Sequence, residues 1–186
     1  MNKVPQLLPV RLFGDLILRQ KLPECDVSAQ ELQDFIPDMI HTMYLRDGVG
    51  LAANQVGSTF RLFVIDPYWS REDAKPNPIV MINPIIETRD GEIEGEEGCI
   101  SLPGIFAFVH RAARITYSYT DPSGIRHQES AEGFKAVVIQ HEFDHLEGVV
   151  FTDRIGILAK LKLKRKLNEL SALVVNGINI REALPE

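Results

Sequence analysis

At 186 residues, 45% of them hydrophobic, the chain has the size and apolar content of one globular domain, 1–186. A net charge of −6 argues against general nucleic-acid binding, and no apolar run reaches the roughly eighteen residues of a membrane span. Cys25 and Cys99 are its two cysteines, too few for a disulfide framework, and Met1-Asn2-Lys3-Val4-Pro5 lacks the apolar core of a secretory signal, so a cytoplasmic location is expected.

Residues 1–27 read as an extended arm with prolines at 5, 9 and 23. Ser28-Ala29-Gln30-Glu31 has the form of a capping box and marks a helix start. Leu32, Phe35, Ile36, Met39, Ile40 and Met43 then recur at helical spacing as a core-facing stripe. Pro37 is expected to kink this helix and Gly48 to stop it. Arg61 to Asp66, Ile79 to Glu87 and Ala113 to Thr120 are β-branched and aromatic runs that read as strands, with Asp121-Pro122-Ser123-Gly124 as a turn. The acidic stretch from Glu87 to Glu97 reads mostly as a solvated hairpin face. Phe134 to Leu146 is apolar on most sides, which predicts a helix buried in the middle of the fold and ended by Gly148. A last helix is expected from about Ile157 to Leu173. The fold class is therefore α+β: antiparallel strands surrounding a central buried helix, with a C-terminal helix.

That buried helix carries His141-Glu142-Phe143-Asp144-His145. Residues i and i+4 share one helix face, so both imidazoles can reach one metal ion, while Glu142 stands one step round, placed to handle a proton on water. A catalytic site needs a third protein ligand. Glu169 lies downstream, though among lysines and leucines that suit a solvated helix face. Upstream, Cys99 sits in Glu97-Gly98-Cys99-Ile100-Ser101, where a flanking glycine permits close approach; a small buried hydrophobe is its other reading. Gly48-Val49-Gly50-Leu51-Ala52-Ala53-Asn54-Gln55 joins small residues to a polar end, either to admit a substrate backbone or as a closely packed helix-to-strand turn.

Together, complete and in order, these three segments resemble the signatures of the peptide deformylase family: Gly-x-Gly-x-Ala-Ala-x-Gln, Glu-Gly-Cys-x-Ser and His-Glu-x-x-His. The resemblance runs from roughly Leu12 through the final helix. It implies hydrolysis of the formyl group from the initiator formyl-methionine of nascent polypeptides, releasing formate. By the same likeness Cys99, His141 and His145 bind the metal, and Glu142 is general base and then general acid. The Gln55 amide and the Ile100 backbone N–H stabilise the oxyanion, and Gly50 contacts the extended substrate backbone. Val49, Phe134, Val137 and Val138 would line the methionine pocket, the last three doing so equally well as ordinary core. Ferrous iron is the metal the family points to in cells, with nickel, cobalt or zinc accepted; one thiolate and two imidazoles do not choose among them.

Some positions depart from the family pattern. Gly95 is expected to widen the methionine pocket, and Ile105-Phe106-Ala107-Phe108 to favour apolar residues beyond methionine. His110 reads as a surface histidine, Cys25 as structural or incidental, and Arg111 as a partner for Glu97 or Asp144. Lys160, Lys162, Lys164, Arg165 and Lys166 make a basic cluster on the last helix, either a solvated face or a contact with ribosomal RNA. Two rival readings remain: a zinc endopeptidase using Glu169, and a catalytically silent metal-bearing protein that binds ribosomes or peptide termini.

Overall fold

The computed structural model describes residues 4–181; the first three residues of the expected arm and the last five of the chain fall outside them. Strands β2 (Gly50–Ala52), β3 (Leu62–Ile65), β4 (Ile79–Asp90), β7 (Arg114–Thr120) and β8 (Arg126–Glu132) form a five-stranded antiparallel sheet in that order. Strands β5 (Ile93–Cys99) and β6 (Leu102–Arg111) make a separate hairpin, and short β1 (Val10–Arg11) pairs with β9 (Ile180–Arg181). Helices α1 (Gln30–Leu45), α2 (Gly133–Leu146) and α3 (Ile157–Ser171) complete a mixed α and β fold.

The period-2 alternation of a strand explains how the helices are placed. All four residues of β3 are buried, but to opposite sides. Leu62 and Val64 join Leu32, Ile36, Met39 and Met43 of α1 in one core. Phe63 and Ile65 join Ala136, Val138, Ile139 and Leu146 of α2 in a second. The sheet is thus covered on both faces near β3, with α2 held against it on one of them. A third core joins Leu102, Ile105 and Val109 of β6 to Val150 and Phe151, and α3 lays Ala159, Leu163, Leu167 and Leu170 over it without fully burying any of them.

Several local expectations need correction. Ser28 does not cap α1: its hydroxyl bonds Asp26, and Ala29 holds the cap position without a side-chain contact. Gly48 is not the left-handed residue that closes the helix. Asp47 is, at φ 53°, with Gly48 N–H bonding Met43 O at 2.9 Å and Asp47 N–H bonding Tyr44 O at 3.0 Å, a Schellman closure. The arm is not extended throughout, since Leu16–Arg19 form a 3-10 turn started by the Asp15 carboxylate. The acidic stretch contributes to two differently paired strands, and Glu97 at its end is buried, not solvated. Strands β5 and β8 escape the apolar alternation because glutamate, glycine and polar residues fill them, and β6 because Pro103-Gly104 breaks its start and a continuous apolar run follows.

Candidate active site

The turn between β5 and β6 brings Cys99 against α2. The ligand atoms of Cys99, His141 and His145 all lie within 4.8 Å of one another, and Cys99 Sγ is 3.3 Å from His145 Nε2. Ligands about 2.0–2.3 Å from a tetrahedral metal lie between roughly 3 and 4 Å apart, so the geometry fits one ion. The donor chemistry fits as well, one sulfur and two imidazole nitrogens. Glu97 fixes the orientation of His141, its Oε2 lying 2.8 Å from Nδ1 and so turning Nε2 to the shared centre. Glu169 lies elsewhere, exposed on α3 and 3.5 Å from Arg165.

Glu142 is buried, and its Oε2 has no hydrogen-bond partner among the described residues. A Cβ on Gly50 would stand 2.4 Å from Glu142 Oε1, so the carboxylate rests on bare backbone at the start of β2. Burial pushes its carboxyl up to about 7. On His141 burial opposes charge, but hydrogen bonds to Cys99 and Glu97 outweigh it and hold the pKa well above the usual value. His145 moves well below that value, first through burial and then through the nearby His141 charge. Burial would raise Glu97, yet its bonds to Arg111 and His141 bring it down to about 2.

Gln55 is held at both ends. Its Oε1 accepts from Ala52 N–H at 2.8 Å, and its Nε2 donates to Cys99 Sγ at 3.3 Å and Ser101 Oγ at 3.2 Å. A cavity of about 570 Å³ opens beside these groups. Its walls include Gln55, Cys99, Ile100, His141 and Glu142 together with Val49, Gly50, Phe134, Val137 and Val138. Gly95 and Phe106 line the same space, whereas Ile105, expected to meet substrate, is instead buried in the third core, and Ala107 and Phe108 lie outside the cavity wall.

A profile of the polypeptide deformylase family matches residues 7–161. The chain belongs to the polypeptide deformylase family. The peptide deformylase of Thermotoga maritima is 42% identical over 166 residues, which cover 89% of this chain and 97% of that protein. Among solved structures, a peptide deformylase from Legionella pneumophila aligns with a TM-score of 0.80 at 36% identity, covering 90% of this chain and 96% of that one. The peptide deformylase of Thermus thermophilus also gives 0.80, at 38% identity over 89% of this chain and 98% of its own. Peptide deformylation, the removal of the formyl group from nascent polypeptides, is accordingly the activity of this chain. Deformylases depend on a metal, and the Cys99, His141 and His145 group is where this one could hold it.

Around those residues the deformylase site has supports that sequence reading only partly reached. Arg111 pairs with both Glu97 and Asp144, the two carboxylates between which the sequence left its choice open. Gln140, buried on α2, clamps the β6–β7 junction by accepting from Ala112 N–H and donating to Ala112 O. Ser101 as a partner for Gln55 and Arg154 as a partner for Asp144 were both missed. Residues 46 and 10 positions apart join these pairs, and no local pattern announces them. His110 is on the surface, beside Glu92 and Glu94, and Cys25 sits half-buried against Asn83.

Proposed function

We propose that this enzyme hydrolyses N-formylmethionyl termini through one divalent metal, ferrous in the cell, held by Cys99, His141 and His145. The convergence of these three side chains beside buried Glu142 is the observation that carries the reading. A metal held there would supply Lewis acidity, polarising the formyl oxygen and easing the loss of a proton from water. Glu142 takes the proton from the attacking water and returns it to the departing amine nitrogen, releasing formate and a free methionine terminus. Its position on Gly50, with no side chain between, supports that role. Gln55 Nε2 and the Ile100 backbone N–H donate to the formyl oxygen as it gains charge. The fixed Gln55 amide, whose oxygen is already held by Ala52, supports its part as a donor.

Gly50 lies on β2, one of the two edge strands of the sheet, where an extended peptide can pair with its free side. Val49, Phe134, Val137 and Val138 take the methionine side chain, and Gly95, where an added Cβ would meet open space, widens that pocket. Phe106, exposed on the cavity wall, favours apolar residues beyond methionine. A formyl carbon carries only hydrogen beyond its carbonyl, so a tight site admits it and rejects acetyl. We further assign the whole chain, 1–186, to a single catalytic domain acting in the cytoplasm. No helix among the described residues is long and apolar enough to cross a membrane. The exposed lysines of α3 would rest on ribosomal RNA, and charge reversal at Lys160 and Lys164 should then lower co-sedimentation with ribosomes.

The deciding experiment is formate release from formyl-Met-Ala-Ser by anaerobically prepared, iron-loaded protein. Release from the formyl peptide but not from acetyl-Met-Ala-Ser, abolished by Glu142→Gln, is the expected result. Full metal occupancy without release would favour the silent ribosome or terminus binder. Activity that survives Cys99→Ser but fails in Glu169→Gln would favour the zinc endopeptidase.

A further inference from the structure

The ionic contacts behind the ligand helix do not end at Arg111. Arg154 follows the 3-10 turn Phe151–Asp153, donates Nε to Asp144 Oδ2 at 2.8 Å and bonds Asp144 Oδ1 through Nη2. Asp144 is buried, adjacent in sequence to His145. Its Oδ2 is shared by Arg111 and Arg154, whereas its Oδ1 is bonded by Arg154 alone among the described residues. Arg111 gives Nε and Nη2 to Glu97 and only Nη1 to Asp144. Glu97 Oε2 in turn holds His141 Nδ1. A continuous path therefore runs from the half-exposed Arg154 through Asp144, Arg111 and Glu97 to the His141 ring.

Two carboxylates and two guanidinium groups balance along this path. Without Arg154, Asp144 keeps Arg111 as its one protein donor, and its Oδ1 loses its charged partner. The remaining cation in contact is Arg111. Turning its fork to grip Asp144 with two bonds withdraws the Nε–Nη2 edge from Glu97, because one planar guanidinium cannot present that edge in both directions. Glu97 would then hold His141 less firmly.

We propose that Arg154 is a positioning residue for the metal site: by satisfying Asp144 it leaves Arg111 to hold Glu97 and, through it, the His141 ring. This rests on the Cys99, His141 and His145 reading above. A simple role in tethering the 3-10 turn is already filled by others. Asp153 pairs with Arg19 and accepts from Val150 N–H at 3.0 Å. Arg154 also borders a second cavity of about 350 Å³, shared with Arg111, Asp144 and Gln140, so its truncation opens to that space and leaves no sealed void.

The test uses the full chain loaded with zinc or with cobalt. Zinc loss to a chelator and the visible ligand-field spectrum of the cobalt form are compared in wild type, Arg154→Ala, Arg154→Lys and the distant control Arg165→Ala. Arg154→Ala should lose zinc about tenfold faster and shift the cobalt bands, as when an outer partner of a metal-bound histidine is removed. Arg154→Lys, which keeps the charge, should restore most of the retention, and Arg165→Ala should match wild type. If Arg154→Ala does not fold, Arg154→Gln, which keeps most of the stem, is measured in its place. Unchanged zinc loss and unchanged cobalt bands, even with a lower melting temperature, would overturn this inference alone. Wild type that takes up neither metal would overturn the ligand reading and this inference together.

Discussion

Gly50 and Glu142 set one of the tightest constraints in the site, because a methyl group at position 50 and the Glu142 carboxylate cannot occupy the same space. Gly50→Ala should therefore displace the carboxylate by a few tenths of an ångström or more and lower formate release by about a hundredfold, with metal content unchanged. Activity within threefold of wild type would refute the close packing of these residues. Gln55→Ala should cost about a hundredfold in kcat with a much smaller change in KM, since its bond strengthens as the formyl oxygen gains charge. The spacing of His141, Glu142 and His145 was legible in sequence because it depends only on helical period. The burial of Glu97 was not, since it closes an acidic run whose other members are exposed.

Among the elements, α2 must end at a fixed place, because His145 stands in its last turn. Gly148 closes it at φ 73°, with Val149 N–H bonding Asp144 O and Gly148 N–H bonding His145 O. An added Cβ there would lie 2.6 Å from Arg19 O, so Gly148→Ala combines backbone strain with a backbone clash and should destabilise by about 2–3 kcal/mol in denaturant unfolding. Gly124→Ala has similar strain but meets nothing, and should cost only about 1 kcal/mol. Equal losses at the two sites would remove the clash from the account. On the β7–β8 pair, burial would raise the Glu129 carboxyl, but bonds from the Tyr117 and Tyr119 hydroxyls, helped by Lys135 and His127, lower it. A lowered folded pKa gives stability that is present above the ordinary carboxylate value, about 4.3, and is lost as pH falls through the folded value. Glu129→Gln should thus flatten the acid side of the melting-temperature profile; an unchanged slope would argue against it. Strand β8 itself escaped sequence reading because it is an edge strand whose residues are mostly exposed and polar.

At the scale of the molecule, stability is unevenly spread. Strand β3 is buried on both faces, whereas α3 has no fully buried residue and exposes Ile157, Leu158 and Leu161. Amide exchange should be slowest in β3 and faster in α3 by at least about a hundredfold; equal protection would mean that the two open only together. By itself the sequence determined the local pieces: two histidines on one helix face, a carboxylate beside them, small residues ahead of Gln55, and the apolar stripe of α1. Only the tertiary structure decided that Cys99 reaches His145 across 46 residues, that Glu169 stays in solvent, and that Asp144 is shared by two arginines. The physical reason is range: helical period and turn chemistry act over a few residues. The partners of buried charges are chosen by whichever strand the packing of the sheet and hairpin brings alongside.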